Sequence, residues 1–153
     1  MSMNFEQARS NMVEQQVRPW EVLDPKVLDL LESTHREDFV PVRYRKMAFA
    51  DMAIPLDFEQ SMMKPVVEGR MLQALELQDD ETVLEIGTGS GFVTACLAQL
   101  AKAVVSVDIF DQFTRDAKDR LREKGLENVE LATGDAMAGW QPEQAHDVVV
   151  VTG

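Results

Sequence analysis

A single cysteine and two histidines are all the chain offers in those residue types across 153 residues. Cys96 has no internal partner, so no disulfide holds the fold together, which fits a reducing compartment such as the cytoplasm. His35 and His146 stand far apart, with no carboxylate or cysteine spacing that suggests a metal site, and both read as surface residues. Basic residues are also scarce: 15 Lys and Arg against 27 Asp and Glu give a net charge of −12. Such a chain repels phosphate backbones, so nucleic acid is not an expected partner. The densest basic cluster, Arg43, Arg45 and Lys46, reads as a solvated loop face. Apolar runs are too short to span a bilayer, and the N-terminus has no basic segment followed by an apolar one, so neither a membrane span nor a signal peptide is expected. Repeats, low-complexity tracts and long linkers are missing too. With 45% hydrophobic and 27% charged residues, the composition is that of an ordinary globular protein with a real core.

What is present is concentrated in Val83-Leu84-Glu85-Ile86-Gly87-Thr88-Gly89-Ser90-Gly91-Phe92. A short apolar run ends in an acidic residue, three glycines follow at alternate positions, and an apolar helix pattern comes next. Strand, glycine turn and helix form the entry by which an α/β domain receives an adenosine-bearing cofactor. Glycine lets the backbone turn sharply and lets a ligand lie against bare peptide groups; a side chain at Gly87 or Gly89 is expected to fill the ligand's space. A dinucleotide fingerprint requires a glycine at position 92, where this chain has Phe92, so the pattern is G-x-G-x-G rather than G-x-G-x-x-G.

Along the chain, apolar spacing predicts helices over residues 4–17, 25–35 and 65–75. The first is ended by Arg18-Pro19-Trp20, and the second is capped by Asp24 ahead of Pro25. Phe39-Val40-Pro41 reads as extended and residues 48–55 as irregular. From residue 83 the alternation is regular: strands over 83–86, 103–107, 129–132 and 147–152, and helices over 92–101 and 111–124, the last closed by Gly125. The four valines 148–151 suggest a central strand covered on both faces. This pattern predicts a doubly wound α/β fold with a parallel Rossmann-like sheet. Residues 1–78 form a helical and extended segment packing on that core, and 79–153 form the cofactor-binding part. Ligands bind at one edge of such a sheet, past the strand ends. Asp108 ends the second strand about twenty residues after Gly87, where a carboxylate accepts hydrogen bonds from ribose hydroxyls. Trp140 reads as a packing residue and Cys96 as a small buried apolar one.

The glycine pattern with Glu85 resembles motif I of the class I S-adenosylmethionine-dependent methyltransferases. Four further stretches narrow the resemblance to the protein-L-isoaspartate O-methyltransferase family. Arg36-Glu37-Asp38-Phe39-Val40-Pro41 resembles that family's R-x-x-F-V-P, and residues 48–56 its A-Y-x-D-x-x-x-P-I. Residues 134–140 resemble G-D-G-x-x-G-W, and residues 145–152 resemble P-Y-D-x-I-x-V-T. The resemblance implies a seven-stranded sheet, S-adenosyl-L-methionine as cofactor with S-adenosyl-L-homocysteine as product, and methyl transfer to the free carboxylate of L-isoaspartyl residues in damaged proteins. It implies cofactor contacts at Glu85, Gly87, Thr88, Gly89, Ser90, Gly91, Asp108 and Ile109, with Asp135 bonding the adenine amino group and Ala136 bounding the adenine edge. Glu85 is expected either to orient the glycine turn by accepting backbone amides or to face the methionine's ammonium. Metal is not implied. The partner is a protein or peptide bearing isoaspartyl.

Two departures stand out. In the family's G-Q-T-I-S-x-P segment a threonine and a serine help position cofactor and substrate carboxylate; here Ser61 takes the threonine's place and Met63 the serine's. Met63 cannot donate a hydrogen bond, so Ser61 and Met63 mark either a packing change or a different substrate. The sequence also stops after the fourth strand, which suggests a fragment whose last strand has an unpaired edge able to self-associate. The competing functions are methylation of another substrate and a non-catalytic cofactor-binding or association module.

Overall fold

The computed structural model describes residues 4–136 and 145–153. Trp140 and the rest of its motif from residue 137 lie outside them. The chain divides into two compact units, one up to Glu76 and one from Leu77 to Gly153.

In the first unit α1, Phe5–Met12, starts on Asn4, whose side chain accepts the Gln7 amide. The single helix expected over 4–17 is instead two pieces, α1 and a wide π turn at Val13–Val17, and a 3-10 turn at Arg18–Trp20 follows where the helix was expected to end. Pro19 sits inside that last turn, and Glu21 ends it in the left-handed region. Helix α2, Pro25–Ser33, is capped by Asp24 as the sequence predicts, with Lys26 N–H donating to its carboxylate. Phe39 closes a 3-10 turn at Arg36–Phe39, so the extended stretch begins only at Val40. A two-residue antiparallel pair, β1 (Ile54–Pro55) with β2 (Ser61–Met62), precedes α3, Pro65–Leu75. Gly69 lets α3 approach closely: a Cβ there would stand 2.9 Å from Val17 Cγ1 and 3.4 Å from Leu31 Cδ1. The Gln73 side chain accepts the Leu23 and Asp24 amides and donates to the Glu21 carbonyl, pinning the α1–α2 connection.

The second unit is the predicted parallel sheet. Its strands are β3 (Thr82–Ile86), β4 (Ala103–Asp108), β5 (Val129–Thr133) and β6 (Val148–Val151), in the order β5-β4-β3-β6. Helix α4, Phe92–Leu100, follows β3, and α5, Asp111–Glu123, follows β4. From β3 the chain steps outward through β4 to β5, then returns to the far side of β3 as β6. The carboxyl end of β3 is therefore the switch point where open parallel sheets leave a crevice. Seven consecutive residues of α4, from Phe92 to Ala98, are buried. Period-two alternation puts Val83, Glu85, Val104 and Ser106 on one face. The opposite face carries the cluster of Leu84, Val107 and Ala136, with Ile86, Val105 and Ala132 against it. Strand β6 pairs with β3 alone among the described strands, and Val149 and Val151 are 57% and 68% exposed. Four branched residues in a row fix β conformation but not what covers it.

Candidate cofactor site

The glycine turn continues the sheet before leaving it. Gly87 N–H donates to the Val107 carbonyl at 2.7 Å, extending the β3–β4 ladder by one bond. Gly87, Gly89 and Gly91 all have positive φ, and Gly91 is the residue from which α4 starts. The Gly91 amide closes the turn on the Thr88 carbonyl at 2.9 Å. Thr88 and Ser90 are buried. Thr88 Oγ1 lies 2.6 Å from Ser106 Oγ, Ser90 Oγ accepts the Phe92 amide, and the Ser90 carbonyl accepts from Arg120 of α5. Their side chains hold the turn; what the turn offers outward is backbone.

At Gly87 the fold itself supplies a reason for glycine. An added Cβ would meet the Gly153 backbone, 2.4 Å from its nitrogen. Gly87 thus leaves room for Gly153, the second residue after β6.

Asp108 stands beside the turn. Its Oδ2 accepts the Gly89 amide at 2.9 Å and its Oδ1 accepts the Phe110 amide at 3.0 Å. A carboxylate accepts about four hydrogen bonds, so the fixed group keeps acceptor capacity for a vicinal diol. The Gly134 amide donates to the Asp108 carbonyl at 2.9 Å, which brings the end of β5 and hence Asp135 to the same sheet edge. Asp135 is exposed there and Ala136 buried under it; Ile109 is 59% exposed.

Glu85 lies beneath the turn. It is fully buried, and among the described residues its carboxyl accepts no backbone amide. Hydroxyls surround it: Thr94 and Ser106 (2.7 Å) on Oε1, and Thr152 (2.9 Å) on Oε2. Burial pushes its carboxyl up to about 7, with the three hydroxyls opposing the shift and Asp108 adding to it. This cage from α4, β4 and the residue after β6 was missed at the sequence level. Its one visible signal was Ser106, a polar residue in register with Glu85 within an otherwise apolar strand.

Gly87 to Gly91, Asp108, Ile109, Asp135 and Ala136 thus share one edge, with Glu85 beneath it. Ser61 and Met63 belong to the other unit. Ser61 is exposed and Met63 half-buried, its carbonyl accepting from Arg36 at 3.0 Å. That buried guanidinium also bonds the Ala48 carbonyl and Glu68, whose carboxyl burial pushes up to about 7 against the pull of Arg36. Among the described residues no His, Cys, Asp and Glu group could hold a metal ion, and no helix is long and apolar enough to cross a membrane.

The site residues fit an adenosine-bearing ligand: a bare-backbone turn, a fixed carboxylate beside it, and a second, exposed carboxylate one strand further along. The family model described as Protein-L-isoaspartate(D-aspartate) O-methyltransferase (PCMT) matches residues 7–153. A protein-L-isoaspartate O-methyltransferase of Dictyoglomus turgidum is 40% identical over 127 residues, 83% of this chain and 58% of that protein. Protein-L-isoaspartate O-methyltransferase 2 of Pelobacter propionicus is 37% identical over 149 residues, 97% of this chain and 66% of that protein. A Plasmodium falciparum structure described as a candidate enzyme of that name, in complex with S-adenosyl-L-homocysteine, superposes with a TM-score of 0.75 at 13% identity, covering 98% of this chain and 73% of that one. At that identity the likeness speaks for the fold. The chain spans about three fifths of the length of these two curated relatives. On this evidence the chain belongs to the protein-L-isoaspartate O-methyltransferase family.

Proposed function

We propose that the chain carries the cofactor-binding part of an S-adenosyl-L-methionine-dependent methyltransferase that esterifies the free carboxylate of L-isoaspartyl residues in proteins. The observation that carries this reading is the Asp108 carboxylate fixed to the Gly89 amide at the switch point of the sheet, within a chain of this family. Asp108 accepts the ribose hydroxyls, the turn from Gly87 to Gly91 lies along the methionine end, and Asp135 with Ala136 frames the adenine. The cofactor supplies a sulfonium methyl, an activated electrophile. The substrate carboxylate is ionised at neutral pH, since such groups titrate near 4. No general base is then required, and the protein's task is to align oxygen, methyl carbon and sulfur while excluding water. The acidic composition and the buried Cys96 suit a cytoplasmic protein acting on protein substrates rather than on nucleic acid.

Calorimetric titration with S-adenosyl-L-homocysteine tests the site. The wild-type chain binds, and Asp108→Ala loses one to two orders of magnitude in affinity, since a hydrogen bond to a charged group is worth about 1.5–3 kcal/mol. Equal binding by the variant removes Asp108 from the site. Methyl transfer to an isoaspartyl peptide, with the aspartyl peptide as control, tests the substrate.

Met63 favours a second reading, the same cofactor with another substrate. Under it, Met63→Ser raises isoaspartyl transfer; unchanged transfer leaves Met63 a packing residue.

A further inference from the structure

Three oxygens lie in a row at the base of the glycine turn. Glu85 Oε2 is 2.9 Å from Thr152 Oγ1, and Thr152 Oγ1 is 2.7 Å from the Gly87 carbonyl oxygen. Two hydrogen bonds need two hydrogens, and the threonine hydroxyl has one. The carbonyl has none. Thr94 and Ser106 direct their hydroxyls at the other carboxyl oxygen, Oε1, and Thr88 is paired with Ser106. With Glu85 ionised, one of the two contacts would set lone pair against lone pair at hydrogen-bond distance, beside a carboxylate that is 0% exposed. With a proton on Oε2 both short contacts are made: Glu85 donates to Thr152, and Thr152 donates to the Gly87 carbonyl, nearer than the Ile86 carbonyl at 3.5 Å.

We infer that Glu85 is a positioning residue in its protonated form, and that the relay from its carboxyl through Thr152 to the Gly87 carbonyl holds the glycine turn in its cofactor-accepting shape. The surroundings agree. Thr94 from α4, Ser106 from β4 and Thr152 after β6 are uncharged, and the charged group acting on Glu85 among the described residues is Asp108, whose sign also favours the proton. Removing the proton leaves the Gly87 carbonyl without a donor and lets Thr152 turn to the carboxylate. The effect on affinity rests on the reading of this edge as the cofactor site; the relay itself does not.

Two measurements test this, one without a ligand. Infrared spectra of the free chain, wild type minus Glu85→Gln, carry the carbonyl stretch of a protonated carboxyl at pH 6, giving way to carboxylate bands as pH rises through about 7. A carboxylate already present at pH 6 overturns the inference. In calorimetry with S-adenosyl-L-homocysteine, wild-type affinity falls about tenfold between pH 6 and pH 8, as the competent fraction falls with one proton. Glu85→Gln keeps acceptor and donor in place and holds its affinity across that range; the ligand's own titration is common to both proteins. Thr152→Val, which breaks the relay but leaves the carboxyl, binds more weakly and loses the pH dependence. Parallel pH profiles for wild type and Glu85→Gln overturn the positioning role. If the wild type binds at neither pH, the cofactor reading and the affinity claim fall together, and the infrared result still decides the relay.

Discussion

Glu85 and Asp108 are carboxylates near the ends of neighbouring strands, and their donors separate their roles. Asp108 meets two backbone amides, which have no choice but to donate, and stays at the sheet edge. Glu85 meets three hydroxyls, which donate or accept as needed, and is sealed beneath it. Glycines divide in the same way. Gly87→Ala combines a φ of +104° with a clash against the Gly153 backbone, so it should destabilise the chain by about 2 kcal/mol or more. Gly125→Ala, at φ +71° with open space around it, should cost only about 1 kcal/mol. Urea denaturation of the two variants measures the difference; equal losses would mean that the Gly153 contact carries no weight. The positions of Gly87 and Asp108 were legible from spacing alone. The contact of Gly87 with Gly153 was not, since that neighbour lies 66 residues away and reaches it only through β6.

At the scale of elements, side chains from outside each helix finish what the local sequence begins. The amphipathic spacing of α3 and the apolar run of α4 were readable, as was the Asp24 cap. The anchors were not, because they act across long separations. Gln73 ties α3 to the connection before α2. Asn128, just before β5, donates from Nδ2 to the Ala98 carbonyl at 2.8 Å and lies within 3.4 Å of the Ala101 and Lys102 carbonyls, ending α4 and steering the chain into β4. Asn128→Ala should lower stability by about 1–2 kcal/mol in urea melts and leave S-adenosyl-L-homocysteine affinity unchanged, because the carbonyls it serves lie at the opposite end of α4 from the glycine turn. A loss of affinity would mean that α4 transmits strain along its length. The Arg36 guanidinium does comparable work in the first unit, joining Ala48, Met63 and Glu68. Replacing Arg36 with Met strands a buried carboxyl and should cost about 3–5 kcal/mol. That arginine is legible as a motif residue, but its partners sit 12, 27 and 32 positions away.

At the scale of the molecule, two consequences follow from burial and from edges. Glu85 keeps its proton to about pH 7 in the folded chain, against an ordinary value of 4.5. Between these values the folded state binds more protons than the unfolded one. Its contribution is full below about pH 4.5 and is lost as pH rises through 7, at up to about 1.4 kcal/mol per pH unit. Urea melts from pH 5 to 8 should show that slope as the difference between wild type and Glu85→Gln; parallel curves would mean Glu85 titrates alike in both states. Glu68 is pushed in the same direction and stays common to both proteins. On β6, Val149 and Val151 are exposed, and β3 is its one partner among the described strands. Sedimentation should show concentration-dependent association of this chain that Val151→Lys suppresses; a monomer at all concentrations would mean the edge is protected.

The sequence alone determined the order of elements, the parallel sheet, the glycine turn and the two aspartates at its edge. Each is written in local spacing, which backbone geometry converts directly into strand, turn and helix. Tertiary structure decided what those residues meet: that Glu85 is caged by hydroxyls and that Gly87 makes room for Gly153. Those outcomes depend on which distant groups share a small volume, and burial sets their chemistry only once the sheet has brought them together.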